Sequence, residues 1–180
     1  VLIFSSILSM AWDMFTFLVP IYGTQIGLSA SQIGMILGAF GSAIFTVRVL
    51  LPLVVKRIGQ WGMLTIAMLA TGVMLFVFPF FQVLPVLMVI AFLLGIGLGG
   101  AQPMIMSLVT THAPADRVGE AVGLRTLLLN GSQTLIPLLF GALGAAFGIA
   151  PVFWVMGVVM TGGGYLLGRP AKNAAAQEPR

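Results

Sequence analysis

The sequence contains 180 residues, of which 59% are hydrophobic and 7% are charged, and its mean hydropathy is +1.14. Because soluble domains carry about 25% charged residues, this composition excludes an ordinary soluble protein and predicts an integral protein of the lipid bilayer. The net charge of +4 comes from basic residues spread singly or in pairs between apolar segments, which is typical of membrane loops and argues against a nucleic-acid partner. With no Cys and one His, we expect no metal site and no cofactor.

Six apolar segments are each long enough to cross the bilayer as a helix, which takes about 20 residues. Their short connections predict antiparallel neighbours. We therefore predict an all-α membrane protein with a six-helix transmembrane bundle over residues 1–168, followed by a disordered polar tail over residues 169–180. The predicted spans are residues 2–23, 31–55, 61–80, 85–110, 119–146 and 151–168.

The basic residues predict how the spans are oriented. All of them lie in or near the second loop, the fourth loop and the tail. Cytoplasmic loops are enriched in Lys and Arg, so we expect loops 56–61 and 111–118 and the C-terminus to be cytoplasmic, in a bacterial inner membrane. The first three and last three helices then run in opposite directions, which allows two inverted three-helix repeats. The start inside an apolar run, without an initiator Met, indicates a fragment of a longer chain.

The first span places an acid near the middle of the membrane, in the run SMAWDMFTFLVP. Asp13 lies about 16 Å deep at a rise of 1.5 Å per residue, on a polar face that includes Thr16. A carboxylate there costs ~2.5–3.5 kcal/mol, so either a cation or water keeps it ionised or it is protonated. Two interpretations follow: Asp13 exchanges a proton or binds a cationic group, or it makes a structural hydrogen bond to another helix. Trp12, beside it, is a candidate for apolar contact with a substrate.

The second span carries an arginine and a line of glycines. Arg48 lies about two helical turns from the predicted cytoplasmic end. It either snorkels to the interface or acts as a partner of Asp13 or of an anionic substrate. Gly34, Gly38 and Gly41 fall in line, which favours a close-packing seam with another helix.

The fourth and fifth spans supply uncharged polar groups. The stretch GIGLGG matches the GxGxxG dinucleotide pattern, but it lies inside an apolar span of membrane length, so we interpret Gly95 and Gly99 as a helix-packing motif. Gln102 and Met106 share their side of the fourth helix. The fifth helix has a polar face with the following members: Gly123, Thr126, Asn130, Gln133, Thr134, Pro137, Gly141 and Gly144. Such a face predicts either a packing seam or the wall of a cavity.

The stretch RVLLPLVVKRIGQWG resembles the cytoplasmic loop motif GxxxDRxGRR of the major facilitator superfamily, which follows the second helix of each six-helix half. Arg57 and Gly59 match the motif, whereas Lys56 stands at its Asp. FLVPIYGTQIGLSASQIGMILGAFGSA is similar to the seventh helix and its loop into the eighth, and GSQTLIPLLFGALGAAFG is similar to the eleventh. The resemblance covers essentially the whole chain as helices seven to twelve.

The resemblance implies the C-terminal half of a twelve-helix secondary transporter whose halves rock around a central site. The partner would be a missing N-terminal six-helix half. In this family the first and fourth helices of a half line the cavity, and the motif loop takes part in gating. The residues assigned to gating by this resemblance are Arg48, Lys56, Arg57 and Gly59.

The polar faces and the resemblance together predict proton-coupled efflux of a small-molecule substrate. Asp13 would exchange the proton, and one acid among aromatic and Met side chains favours a cationic or apolar cargo over phosphate. The alternatives are a six-helix structural or regulatory membrane protein and a membrane-embedded enzyme; one intramembrane acid argues against an enzyme. The predicted substrate and proton site comprises Asp13, Trp12, Thr16, Gln102, Met106, Asn130 and Gln133.

Overall fold

The computed structural model describes residues 2–112 and 118–175, and within them it is helical apart from short turns. Six helical stretches in these ranges are long and apolar enough to cross a membrane. The prediction of an all-α protein with six spans is therefore confirmed. The elements are α1 (Leu2–Gln25), α2 (Ala30–Val77), a 3₁₀ turn (Phe78–Phe80), α3 (Leu84–His112), α4 (Val118–Phe147) and α5 (Ile149–Ala175).

The long element α2 contains the second and third spans, which are separated at Gly59. This glycine has φ +74° and ψ 166°, a conformation that a side chain at Cβ would disfavour. Gly59 therefore allows the helix to break between Ala30–Leu53 and Gly59–Phe80. The side chains of Lys56 and Arg57 lie outside the described residues, so the gating role of this loop stays a prediction.

The start of α2 is determined by a capping box. The Gln32 backbone N–H donates to Ser29 Oγ at 3.3 Å, and the Ser29 backbone N–H donates to Gln32 Oε1 at 2.8 Å. These bonds satisfy two amide groups that have no partner within the helix. The second span thus begins close to its predicted boundary.

Close backbone contacts hold α3 against α2. A Cβ on Gly95 would collide with the carbonyl oxygen of Phe40, and one on Gly99 would lie 3.0 Å from Cα of Ile44. The helix-packing interpretation of Gly95 and Gly99 is therefore confirmed. The seam predicted along the second span meets no helix of the described part of the chain and stays a prediction. The three glycines of that line, Gly34, Gly38 and Gly41, have no atom within 4 Å of a Cβ added to them.

An aromatic cluster closes the end of the bundle at which α1 and α2 finish. Phe78 stacks on Phe153 with centroids 5.1 Å apart and meets Phe15 edge-on at 5.4 Å. The Tyr22 hydroxyl lies 3.0 Å from the carbonyl oxygen of Pro79, to which it donates. All three rings of the phenylalanines are fully buried, so the cluster joins α1, α5 and the 3₁₀ turn into one core.

Helix α4 lies at the edge of the bundle. Only 7% of its span is buried, against 56% of the span in α3. Side chains such as Leu127 and Leu138 are each 68% exposed. One face of α4 is therefore available to line a cavity while the rest remains uncovered by the described residues.

The last helix continues to Ala175, past the predicted bundle boundary at 168, and residues 176–180 of the predicted tail lie outside the described residues. Most of the predicted cytoplasmic loop 111–118 lies outside them too. The two-unit division, the inverted repeats and the orientation of the termini stay predictions.

Candidate functional site

A cavity of about 330 Å³ opens among the first four helices. Its wall carries one carboxyl, two guanidinium and two amide groups, an unusual concentration in a chain with 7% charged residues. Polar and charged side chains within a membrane protein mark functional pathways more often than packing. The lining residues are Ser9, Trp12 and Asp13 from α1, Arg48 from α2, Gln102 from α3, and Arg125, Leu129 and Gln133 from α4.

Arg125 is held in the cavity wall by hydrogen bonds to two other helices. It lies about two turns into α4 and is half-buried. Its Nε donates to Ser5 Oγ at 3.1 Å, and its Nη2 donates to Gln102 Oε1 at 2.9 Å. Gln102 Nε2 in turn donates to Ser9 Oγ at 3.3 Å. The guanidinium group is thus fixed by neutral partners, and its positive charge is not cancelled by them.

Asp13 presents a carboxyl group whose Oδ2 atom is buried and has no hydrogen-bond partner among the described residues. Within those residues no ion pair of 4.0 Å or less joins Asp13 to Arg48 or to Arg125. A buried oxygen without a partner costs about 1–3 kcal/mol, and more when it is charged. Asp13 is therefore a group that gains from a proton or from a partner entering the cavity.

Arg48 reaches the same cavity from α2, and its side chain is exposed. Its two sequence-based interpretations, snorkelling and a partner role, both stay predictions. Arg48 and Asp13 line one cavity although helix rise predicts different depths for them. The two arginines and Asp13 therefore enclose a single space.

The cavity brings together four of the seven residues predicted for the substrate and proton site: Trp12, Asp13, Gln102 and Gln133. The Trp12 ring packs edge-on against Phe40 with centroids 5.2 Å apart, so it forms a supported apolar wall beside the carboxyl. Gln133 is exposed, and its amide remains accessible from the cavity.

The other three predicted residues do not line the cavity. The Thr16 hydroxyl donates to the backbone carbonyl oxygens of Trp12 and Asp13 at 3.0 and 3.1 Å, so its own helix already satisfies it. Met106 is 37% exposed and Asn130 is also exposed, both outside the lining. Contact of these three residues with the substrate therefore stays a prediction.

Sequence reasoning missed Arg125, Ser9 and Leu129 as lining residues. Arg125 was counted with the basic residues of the fourth loop. A signal for it existed, since a charged side chain inside a membrane span is as costly as Asp13 and needs the same explanation. Ser9 was recognisable by its position on the polar face of the first span, whereas nothing in the sequence distinguished Leu129 from its neighbours.

The sequence matches the family model of the Major Facilitator Superfamily over residues 1–180. This chain belongs to the Major Facilitator Superfamily. The resemblance seen in the motif loop is thereby confirmed at the level of the family. Membership in the Major Facilitator Superfamily agrees with the six spans and identifies a multi-pass integral membrane protein.

A curated relative is the "Probable sulfoacetate transporter SauU" of Cupriavidus necator, which is 28% identical to this chain over 143 residues. The match covers 79% of this chain and 33% of the relative, so the chain spans about a third of the relative's length. Both comparisons point to solute transport rather than to catalysis. That the chain is a C-terminal half stays a prediction.

Proposed function

We propose that this chain is part of a secondary active transporter that moves a small organic anion across the membrane, coupled to protons, by alternating access. The observation that carries the proposal is the presence of Arg48 and Arg125 in one cavity among apolar helices. Guanidinium groups suit carboxylate, sulfonate and phosphate because their planar donors match pairs of acceptor oxygens. In a water-poor setting such contacts are also stronger than in bulk water.

This proposal revises the cargo expected from the sequence. The expectation of a cationic or apolar compound depended on Asp13 as the one acid within the spans, among aromatic and Met side chains. With Arg125 beside Asp13 in the cavity wall, positive groups outnumber negative ones, and an anion fits better. The named substrate of the relative supports an anionic cargo, because sulfoacetate carries both a sulfonate and a carboxylate.

The lining residues have distinct proposed roles. Arg125, fixed by Ser5 and Gln102, is a preorganised anchor that needs little ordering on binding. Arg48, whose side chain is exposed, contacts the anion as the cavity closes. Asp13 exchanges the coupling proton, and Trp12 covers the apolar part of the substrate.

Alternating access requires a second wall for the cavity. The uncovered face of α4 and the open glycine line of α2 suit contact with a further set of membrane helices, for which the missing N-terminal six-helix half is the proposed partner. Small residues permit such helices to approach closely. The vesicle assay below distinguishes export, the direction expected from the sequence, from uptake.

The test uses the full-length transporter that contains this chain, reconstituted in vesicles with an imposed pH gradient of either sign. We expect saturable, gradient-dependent movement of labelled sulfoacetate. Replacement of Arg125 by Gln removes the charge and keeps a polar side chain, so binding should weaken by at least about tenfold, the value of one charge-assisted hydrogen bond.

The matched control for that substitution is Thr126→Ala. Thr126 is the next residue of α4, its hydroxyl donates to the carbonyl oxygen of Val122 at 2.9 Å, and it does not line the cavity. Anion binding should be unchanged in this control. Equal binding by the wild type and Arg125→Gln would refute the anion site, and lack of any transport would favour the structural or regulatory alternative.

A further inference from the structure

We infer that the cavity takes a doubly charged anion together with one proton held by Asp13. This inference rests on the proposed anion site and adds the charge of the substrate and the stoichiometry of coupling. Three observations motivate it. The lining has two guanidinium groups, it has a single carboxyl group, and the buried Oδ2 atom of that carboxyl has no partner among the described residues.

The charged groups that face Asp13 come from two of the four helices packed against α1. Helix α2 contributes Arg48 and helix α4 contributes Arg125, whereas α3 contributes only the neutral Gln102 and α5 contributes no lining residue. On α1 itself, Tyr22 is directed to the 3₁₀ turn by its hydrogen bonds to Pro79 and Phe81. The described lining therefore has an excess of one positive charge when Asp13 is ionised and of two when it is protonated.

Charge balance then relates the substrate to the proton. A net charge near the middle of a membrane is costly, so the loaded form of the cavity should be close to neutral when it changes its access. A singly charged anion balances the cavity only with ionised Asp13, and a doubly charged anion balances it only with protonated Asp13. The two loaded states differ in the charge of the Asp13 carboxyl group, which contains the buried Oδ2 atom.

The hydrogen bonds favour the second state. Arg125 directs Nε and Nη2 to Ser5 and Gln102, so these donors do not hold Asp13 in its ionised form. With a singly charged anion bound, Oδ2 would stay a buried charged oxygen next to another negative group. A protonated carboxyl carries no charge, so burial of its Oδ2 atom costs less and the bound anion meets no second negative group. The proton thus removes the repulsion and the buried charge at the same time.

The consequence for transport is that anion and proton move together. A doubly charged anion draws a proton to Asp13 from the side to which the cavity is open. Release of the anion on the other side removes its negative charge and leaves the two guanidinium charges of the lining unbalanced, which favours loss of the proton there. One proton accompanies each anion. The charges of the described lining and of the bound anion then sum to zero while the loaded cavity changes its access.

The test uses probes of fixed charge with the full-length transporter. Methanedisulfonate and ethanedisulfonate remain doubly charged at all working pH values, whereas methanesulfonate and ethanesulfonate remain singly charged. None of them can carry the proton, so any proton taken up on binding must be on the protein. Binding is measured by calorimetry in buffers of different ionisation enthalpy, which reports the number of protons taken up, across mildly acidic to mildly alkaline pH.

We expect the disulfonates to bind at least about tenfold more tightly than their singly charged counterparts, with uptake of one proton. Their affinity should increase by up to tenfold per unit fall in pH, the limit for linkage to one proton. Asp13→Asn should lose the proton uptake and the pH dependence of disulfonate binding, while Asp13→Glu should retain proton uptake. Melting temperatures of the two variants check that they are folded, and Thr126→Ala should behave as the wild type.

Two failures are distinguishable. Equal binding of singly and doubly charged probes, or disulfonate binding without proton uptake, would overturn the inference and leave the anion site intact. An Asp13→Asn variant that still takes up the proton would overturn the assignment to Asp13. No binding of any of the four sulfonates by the folded protein would overturn the anion site itself, and the proposed function with it.

Discussion

Replacement of Gln102 by Glu tests whether the free charge of Arg125 is what binds the anion. The substitution preserves the size of the side chain and places a carboxylate oxygen where Gln102 Oε1 accepts from Arg125 Nη2, at 2.9 Å. It also removes the donor to Ser9 Oγ, a bond of 3.3 Å between neutral groups. The substitution therefore exchanges a neutral partner of Arg125 for one that cancels its charge.

The magnitude follows from these contacts. Loss of the bond to Ser9 should cost about 0.5–1.5 kcal/mol of stability, and the new ion pair offsets part of this. An anion bound in the variant lies near the new carboxylate of the cavity wall, and an unfavourable like-charge contact costs several kcal/mol. We therefore expect the protein to remain folded and the affinity for sulfoacetate to fall by at least about a hundredfold, which corresponds to roughly 2.7 kcal/mol.

The assay is equilibrium binding of labelled sulfoacetate to the full-length transporter, with melting temperature as the test of folding. Gln60→Glu is the matched control, because Gln60 Nε2 donates to Ser107 Oγ at 3.0 Å outside the cavity. The same chemical change there should leave affinity within about twofold, the scatter of distant surface changes. Unchanged affinity in Gln102→Glu would refute the reasoning, since it would mean that Arg125 does not contact the anion.

Two predictions concern the fold rather than the site, and both are checked by melting temperature in detergent. Gly72→Leu should lower stability by about 1–3 kcal/mol, because a Cβ on Gly72 would collide with the hydroxyl of Thr161; Gly34→Leu, at an open position, should have no such effect in the isolated chain. Equal melting temperatures for the two variants would contradict this packing. Tyr22→Phe should cost roughly 1 kcal/mol through loss of its hydroxyl donor and should leave anion affinity unchanged; an effect on affinity alone would place Tyr22 in the site.

Much of the fold was predictable from the sequence because a bilayer restricts the choice of structure. Backbone groups in lipid must be satisfied within each segment, so length and hydropathy suffice to predict helical spans. The Gly95 and Gly99 contact was predictable for the same reason, since close approach in a membrane requires small residues. The line at Gly34 meets no helix among the described residues, because helix periodicity does not specify which neighbour a face will meet.

The candidate site was predictable in part. The cost of a buried charge pointed to Asp13, and the family resemblance placed its helix against a cavity. The same cost applied to Arg125, but proximity to a basic loop concealed it. Thr16 shows the opposite limit: periodicity places it on the polar face, but a threonine hydroxyl can donate to its own helix, and here it does so. Side-chain direction and hydrogen-bond choice are therefore decided by packing that the pattern of residues does not contain.

The central claim is that one anion lies between Arg48 and Arg125, and an experimental structure of the full-length transporter with sulfoacetate bound tests it most directly. The account predicts acid oxygens of the ligand within hydrogen-bond distance of both guanidinium groups, with Trp12 against its carbon atoms and the Arg125 contacts to Ser5 and Gln102 retained. A ligand bound elsewhere, or one that contacts neither arginine, would contradict it.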